Sequence, residues 1–141
     1  LLAVVAAHRR GQPLHHELAA LGAVHAGAAR TVAAYRLLAL AGPGPERGGI
    51  VRVPTGGAAI EVELHQLLVE ELGRLVIALP DPLAVGRILL GDGRSVIGIV
   101  CAWTPERAVD VTAHRSWPAY LSSRGSRSAT GTPTGDISGE S

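Results

Sequence analysis

The chain has 141 residues, enough for one domain with a substantial core, and its net charge of +1 carries no cationic stripe of the kind nucleic acid requires. Apolar residues make up 47% of it but aromatics only 3%, so Leu, Val, Ala and Ile must fill the interior. The longest apolar windows, around Leu75 to Leu79 and Val96 to Ala102, fall far short of a membrane span. The single cysteine, Cys101, excludes an internal disulfide and fits a reducing, cytoplasmic setting.

All thirteen basic residues are arginine, and a chain that starts at Leu1 with no Met is expected to be a fragment or a piece cut from a longer reading frame. Leu1 to Ala7 is a continuous apolar run without the flanks of a signal peptide, so it predicts a strand buried on both faces. Gly11-Gln12-Pro13 turns the chain. Leu14 to Leu21 predicts a short helix closed by Gly22. Tyr35 to Leu40 predicts a second apolar strand, Gly42-Pro43-Gly44-Pro45 a loop, and Ile50 to Val53 a short strand.

Ala59 to His65 alternates apolar and polar, the period of a strand with one face on a core. Gln66 to Leu79 then places Leu68, Leu72, Leu75, Val76 and Leu79 at helical spacing, with Glu70, Glu71 and Arg74 largely opposite, and predicts an amphipathic helix over the sheet. Pro80 and Pro82 stop it. Arg87 to Leu90 and Ser95 to Ala102 predict a hairpin around Gly91-Asp92-Gly93-Arg94. These strands are expected to form one mixed sheet. Trp117 to Leu121 predicts a last short helix, and the Ser-, Thr- and Gly-rich residues 122–141 predict a disordered tail.

The ordered set Gly57 to Glu63, Leu79 to Gly86 and Asp92 to Gly98 resembles the allophanate hydrolase C-terminal domain family, in which GGAAIEVE is followed by a helix, IPAPLGIG and a DGRSVKGF-like strand. Val4 to Leu18 resembles that family's VVGAHLSGMPLNHQL pattern at His8, Gly11, Pro13, Leu14, His16 and Leu18. Tyr35-Arg36-Leu37 matches its YRL strand, and Asp110, Trp117, Tyr120 and Leu121 match its ending. The resemblance covers roughly Leu2 to Leu121. Ala6, Arg9 and His15 depart from the pattern, where it has Gly, Leu and Asn.

The resemblance implies residues 1–121 as one α+β domain of the gamma-glutamyl-cyclotransferase-like fold, with a mixed barrel-like sheet and flanking helices. It also implies decarboxylation of N-carboxycarbamate, a small carboxylated urea derivative, after an amidase domain or subunit has acted. No metal or cofactor is implied. Loss of carbon dioxide from a carbamate follows protonation of nitrogen, so a proton donor with a pKa near neutral is useful, and His8 is the candidate catalytic residue. Arg9, Gly11, Tyr35, Arg36 and Glu61 are the candidate substrate-binding residues.

Other readings of the same residues compete. His15, His16 and His25 lack the carboxylate or cysteine that would complete a zinc-like spacing. Glu61 and Glu63 share a strand face, as a carboxylate pair would, but read as solvated outer-face residues. Cys101, in an apolar strand, reads as an inert buried thiol. A YGSL-like loop is missing, which argues against gamma-glutamyl cyclotransferase activity itself. The competing function is a non-catalytic accessory domain that docks an amidase or forms a homodimer.

Overall fold

A computed structural model describes residues 1–130. The chain runs β1 (Leu2–Val4), α1 (His15–Ala20), β2 (Val24–Arg30), β3 (Tyr35–Leu40), β4 (Arg47–Arg52), β5 (Glu61–Gln66), α2 (Val69–Ala78), β6 (Leu83–Leu89), β7 (Ser95–Cys101), β8 (Val109–Asp110), a 3-10 turn (Thr112–His114) and α3 (Trp117–Thr130). Five strands form one sheet in the order β2-β5-β1-β7-β6, and three form another in the order β4-β3-β8. In the larger sheet β1 is parallel to β7 and the other neighbours are antiparallel, so the expected mixed α+β architecture is present.

The expectation of a single sheet is corrected. β3 spends both edges on β4 and β8, pairing with β4 from Tyr35↔Arg52 to Leu40↔Arg47. Among the described residues, the isolated bridges Tyr35↔Ala58 and Thr31↔Leu90 add to these pairings. The main core fills the space between the sheets, with Ala3 from β1, Tyr35, Leu37 and Ala39 from β3, Val62 and Leu64 from β5, and Trp117 from α3. A second cluster takes the alternate residues Leu2 and Val4 of β1 and Leu38 and Leu40 of β3 together with Leu18 of α1 and Leu75 of α2. Strands serving two clusters need apolar residues at consecutive positions, which is why β1 and β3 do not alternate.

α2 begins at Val69 rather than Gln66. Gln66 is still paired to Val24 in the sheet, and Leu68 at the N-cap offers no side-chain hydrogen bond. The helix rests on a narrower stripe than its periodicity predicts. Leu75 is buried and Leu72 and Leu79 are half-buried, whereas Leu68 and Val76 are exposed. β6 starts four residues earlier than predicted, because Leu83 already pairs with Cys101. α3 runs on to Thr130, past Leu121 where the last short helix was expected to end. Arg124 there bonds Glu46 and lies over the Tyr120 ring. Residues 131–141 of the expected tail lie outside the described residues.

Candidate active site

The site is built on the segment that leaves β1. After Val4 the chain turns twice, with Arg9 N–H donating to the Ala6 carbonyl and Gln12 N–H to the Arg9 carbonyl, and Leu14 N–H closes the loop onto Ala7 at 2.9 Å. Gly11 sits at φ +81°, a conformation that favours glycine, so its role here is to turn the loop. The loop lays His8 against α1, where His8 Nε2 lies 2.9 Å from Glu17 Oε1. His8 is only 4% exposed.

Burial holds the His8 pKa below its ordinary value, helped by the charges of Arg47 and His15 and only partly offset by Glu17. The imidazole is therefore neutral at neutral pH. With Nε2–H donating to a carboxylate, Nδ1 is the basic nitrogen. His15 adds a contact from its Nδ1 to the His8 carbonyl oxygen at 3.1 Å.

Beside this lies a polar layer on β5. Glu61, Glu63 and His65 point away from the main core at i, i+2 and i+4, while Val62 and Leu64 point into it. The expectation that Glu61 and Glu63 are solvated is corrected for Glu63, which is 6% exposed and lies under the loop. Its Oε1 accepts the Arg10 backbone N–H at 2.7 Å and stands 2.9 Å from His65 Nε2. Burial pushes the Glu63 carboxyl up, but the Arg10 amide, His65 and the charge of Arg9 outweigh it and hold the pKa below the usual carboxylate range. His65 is pushed down by burial, Glu63 only partly offsetting it, so the pair is a carboxylate with a neutral imidazole. Glu61 is half-buried and is reached by Arg9 Nη2 at 3.5 Å.

Tyr35 and Arg36 are not part of this site. They lie at the far end of β3 from Leu40 and its partner Arg47, roughly 13–17 Å along the strand. Tyr35 is buried with its hydroxyl accepting the Leu89 N–H at 3.0 Å, and Arg36 is paired with Asp110 at 3.3 Å. His15, His16 and His25, weighed above as a metal cluster, do not converge on one point. His16 bonds the Pro13 carbonyl, while His15 and His25 flank the His65 ring at 5.7 and 5.6 Å, and no group of three potential ligands converges among the described residues. Cys101 is buried with its thiol pushed up to about 11, an inert group.

Two residues that sequence reasoning missed belong here. Glu17 is one, placed by the helix register of α1. Arg47 is the other: with Val4 to His8, Gly48, Leu83 and Ile99 it lines a niche of about 10 Å³ at His8. Arg47 also lines a larger neighbouring cleft. A half-buried cation at the start of a strand carries no sequence signal of its own.

Residues 1–122 match the allophanate hydrolase C-terminal domain family. Among curated proteins the chain is 34% identical over 125 residues to urea amidolyase of Saccharomyces cerevisiae and 32% identical to that of Lachancea kluyveri, 85% of this chain being covered in each. It spans only 7% of the length of either relative. Among solved structures, Kluyveromyces lactis allophanate hydrolase superposes with a TM-score of 0.82 at 30% identity, covering 87% of this chain and 21% of that one. A uropathogenic E. coli-specific protein superposes with a TM-score of 0.79 at 32% identity, covering 86% of this chain and 94% of that one. Matched from residue 1 to residue 122, this chain belongs to the allophanate hydrolase C-terminal domain family.

Proposed function

We propose that this domain removes carbon dioxide from N-carboxycarbamate, the dianion left when an amidase takes ammonia from allophanate. The observation that carries the proposal is His8, buried in the loop after β1, fixed by Glu17 and sharing its niche with Arg47. In the empty site His8 is neutral. A bound dianion favours the charged imidazole, so substrate and proton enter together. The imidazolium then gives its proton to the substrate nitrogen and the nitrogen–carbon bond breaks. Its electron pair stays on nitrogen, and one carboxylate leaves as carbon dioxide with carbamate as the other product. A positioned acid of this kind contributes roughly 100-fold or more.

The test is release of carbon dioxide from N-carboxycarbamate generated in place by an amidase, measured above the fast uncatalysed background. Wild-type domain is expected to accelerate release and His8→Ala to abolish the acceleration while keeping the fold. Equal rates with wild type, variant and no domain at all sink the proposal.

One observation favours a second reading, an accessory domain without chemistry. The niche at His8, about 10 Å³, holds no more than one water. The relatives in which this domain forms 7% or 21% of the chain are consistent with an amidase partner. Under that reading the domain supports a fused or docked amidase, or forms a homodimer, and His8→Ala leaves every rate unchanged.

A further inference from the structure

A cleft of about 560 Å³ opens next to the His8 niche, within the size range of small-molecule sites. Its walls come from three segments that meet only in the fold: Pro43 and Pro45 before β4, Pro82 before β6, and Trp103 after β7. Cleft and niche share two residues, Arg47 and Leu83. None of Arg9, Gly11, Tyr35, Arg36 and Glu61 lines either space.

Arg47 stands apart from the other arginines. Arg9 is committed to Glu61, Arg10 to Glu63, Arg36 to Asp110, Arg74 to Glu71, Arg94 to Asp92 and Arg124 to Glu46. Among the described arginines, Arg47 is the one that is half-buried and in no ion pair. Its neighbour Glu46 is engaged instead by Arg124 and Tyr120. A guanidinium drawn partly out of water without a carboxylate is suited to bind one supplied by a ligand, and its planar fork fits a carboxylate bidentately. The other charged groups on the cleft, Asp81, Glu106 and Arg107, are exposed on its rim, where solvent screens them.

We propose that this cleft is the binding site for a small carboxylate ligand, with Arg47 gripping a carboxylate at the inner end, beside His8, and Trp103 flanking the outer part. The ligand class rests on the function proposed above. The cleft also gives the substrate room that the niche lacks, so that only the reacting end need reach His8.

The probe is malonate, in which a methylene replaces the nitrogen of N-carboxycarbamate. Trp103, half-exposed on the cleft wall, reports binding by fluorescence, while Trp117 is buried in the core. Malonate is expected to give a saturable change that Trp103→Phe removes. Arg47→Gln is expected to weaken binding by about tenfold or more, the loss of a charge-assisted bidentate contact. Arg107→Gln, on the rim, is expected to stay within about twofold. Circular dichroism checks each fold. Should Arg47→Gln not fold, Arg47→Lys carries the test, since it keeps the charge and loses the fork; unchanged affinity in it overturns the assigned grip. A folded wild-type domain with no saturable response into the tens of millimolar overturns the site. Carbon dioxide release on the same proteins separates the two proposals. Binding through Arg47 without acceleration by the wild-type domain removes the decarboxylation and leaves the cleft standing. Acceleration that Arg47→Gln does not alter, with malonate binding equally unaltered, removes the cleft and leaves the decarboxylation.

Discussion

His8 Nε2 stands 2.9 Å from Glu17 Oε1 across the loop that joins β1 to α1, and the carboxylate lines neither the niche nor the cleft. Glu17 is thus placed to set the tautomer and charge of His8 without touching a ligand. It favours the imidazolium against burial and against Arg47. Glu17→Gln keeps a hydrogen-bonding side chain and removes the charge, so the His8 pKa should fall further. Decarboxylation that needs imidazolium is lost as pH rises through that pKa, and the loss should move to lower pH. At neutral pH, kcat/KM should fall by up to roughly 100-fold, because proton uptake accompanies substrate binding. The check is the pH profile of release above background. A lower rate with an unmoved profile would mean that Glu17 acts only as structure.

Acid should lower the stability of this domain in two steps. His8 and His65 both have folded pKa values below the ordinary 6.5, with burial as the main cause. Once pH falls below 6.5, the unfolded chain takes up protons that the folded chain refuses, so stability declines until the folded values are passed. Glu63 is held below the ordinary 4.5, so a further decline begins under that pH, where the unfolded carboxylate protonates first. Urea midpoints should be flat on the alkaline side of 6.5 and fall below it, then fall again below 4.5. Stability that rises on acidification through 6.5 would contradict the buried neutral imidazoles.

The Glu63 carboxylate satisfies two donors, the Arg10 amide and His65, under the loop. Glu63→Leu should destabilise the fold by about 2 kcal/mol or more, because both donors lose their buried acceptor. Adding His65→Leu removes one orphaned group, so the double variant should be less destabilised than the sum by about 1 kcal/mol. Strict additivity in chemical denaturation would show that the pair is solvated.

Period and apolar runs located most of the frame. β3 and β7 fall where the apolar runs predict them, and the Gly91 to Arg94 hairpin closes with Leu90 N–H on the Arg94 carbonyl. β2 escaped because Val24 to Arg30 is small and mostly exposed, an edge strand held in the sheet by β5 and carrying an irregularity between His25 and Gly27. Its residues answer to a partner, not to a pattern. The site was half legible for a similar reason. His8 could be found from a local motif, whereas Glu17, Arg47 and the proline-walled cleft come together only when α1, β4 and the chain after β7 are folded. The alternation of β5 was read with the right period, but the layer covering its polar face lies some fifty residues away in sequence.

Gly48, next to Arg47, gives the last expectation. A Cβ built there would collide with the Trp117 ring and crowd the Ala6 methyl, so the ring packs against bare backbone. Trp117 is 1% exposed and anchors α3 between the sheets. Trp117→Ala should cost about 3–5 kcal/mol through lost burial and the cavity left behind. Gly48→Ala should cost about 1–3 kcal/mol through overpacking against the buried ring. In the double variant the added methyl enters space that the indole has vacated, so its loss should be smaller than the sum of the two. Urea denaturation of the three variants checks this. A double variant at or beyond the sum would mean that Gly48 answers to the backbone of β4 and not to the ring above it.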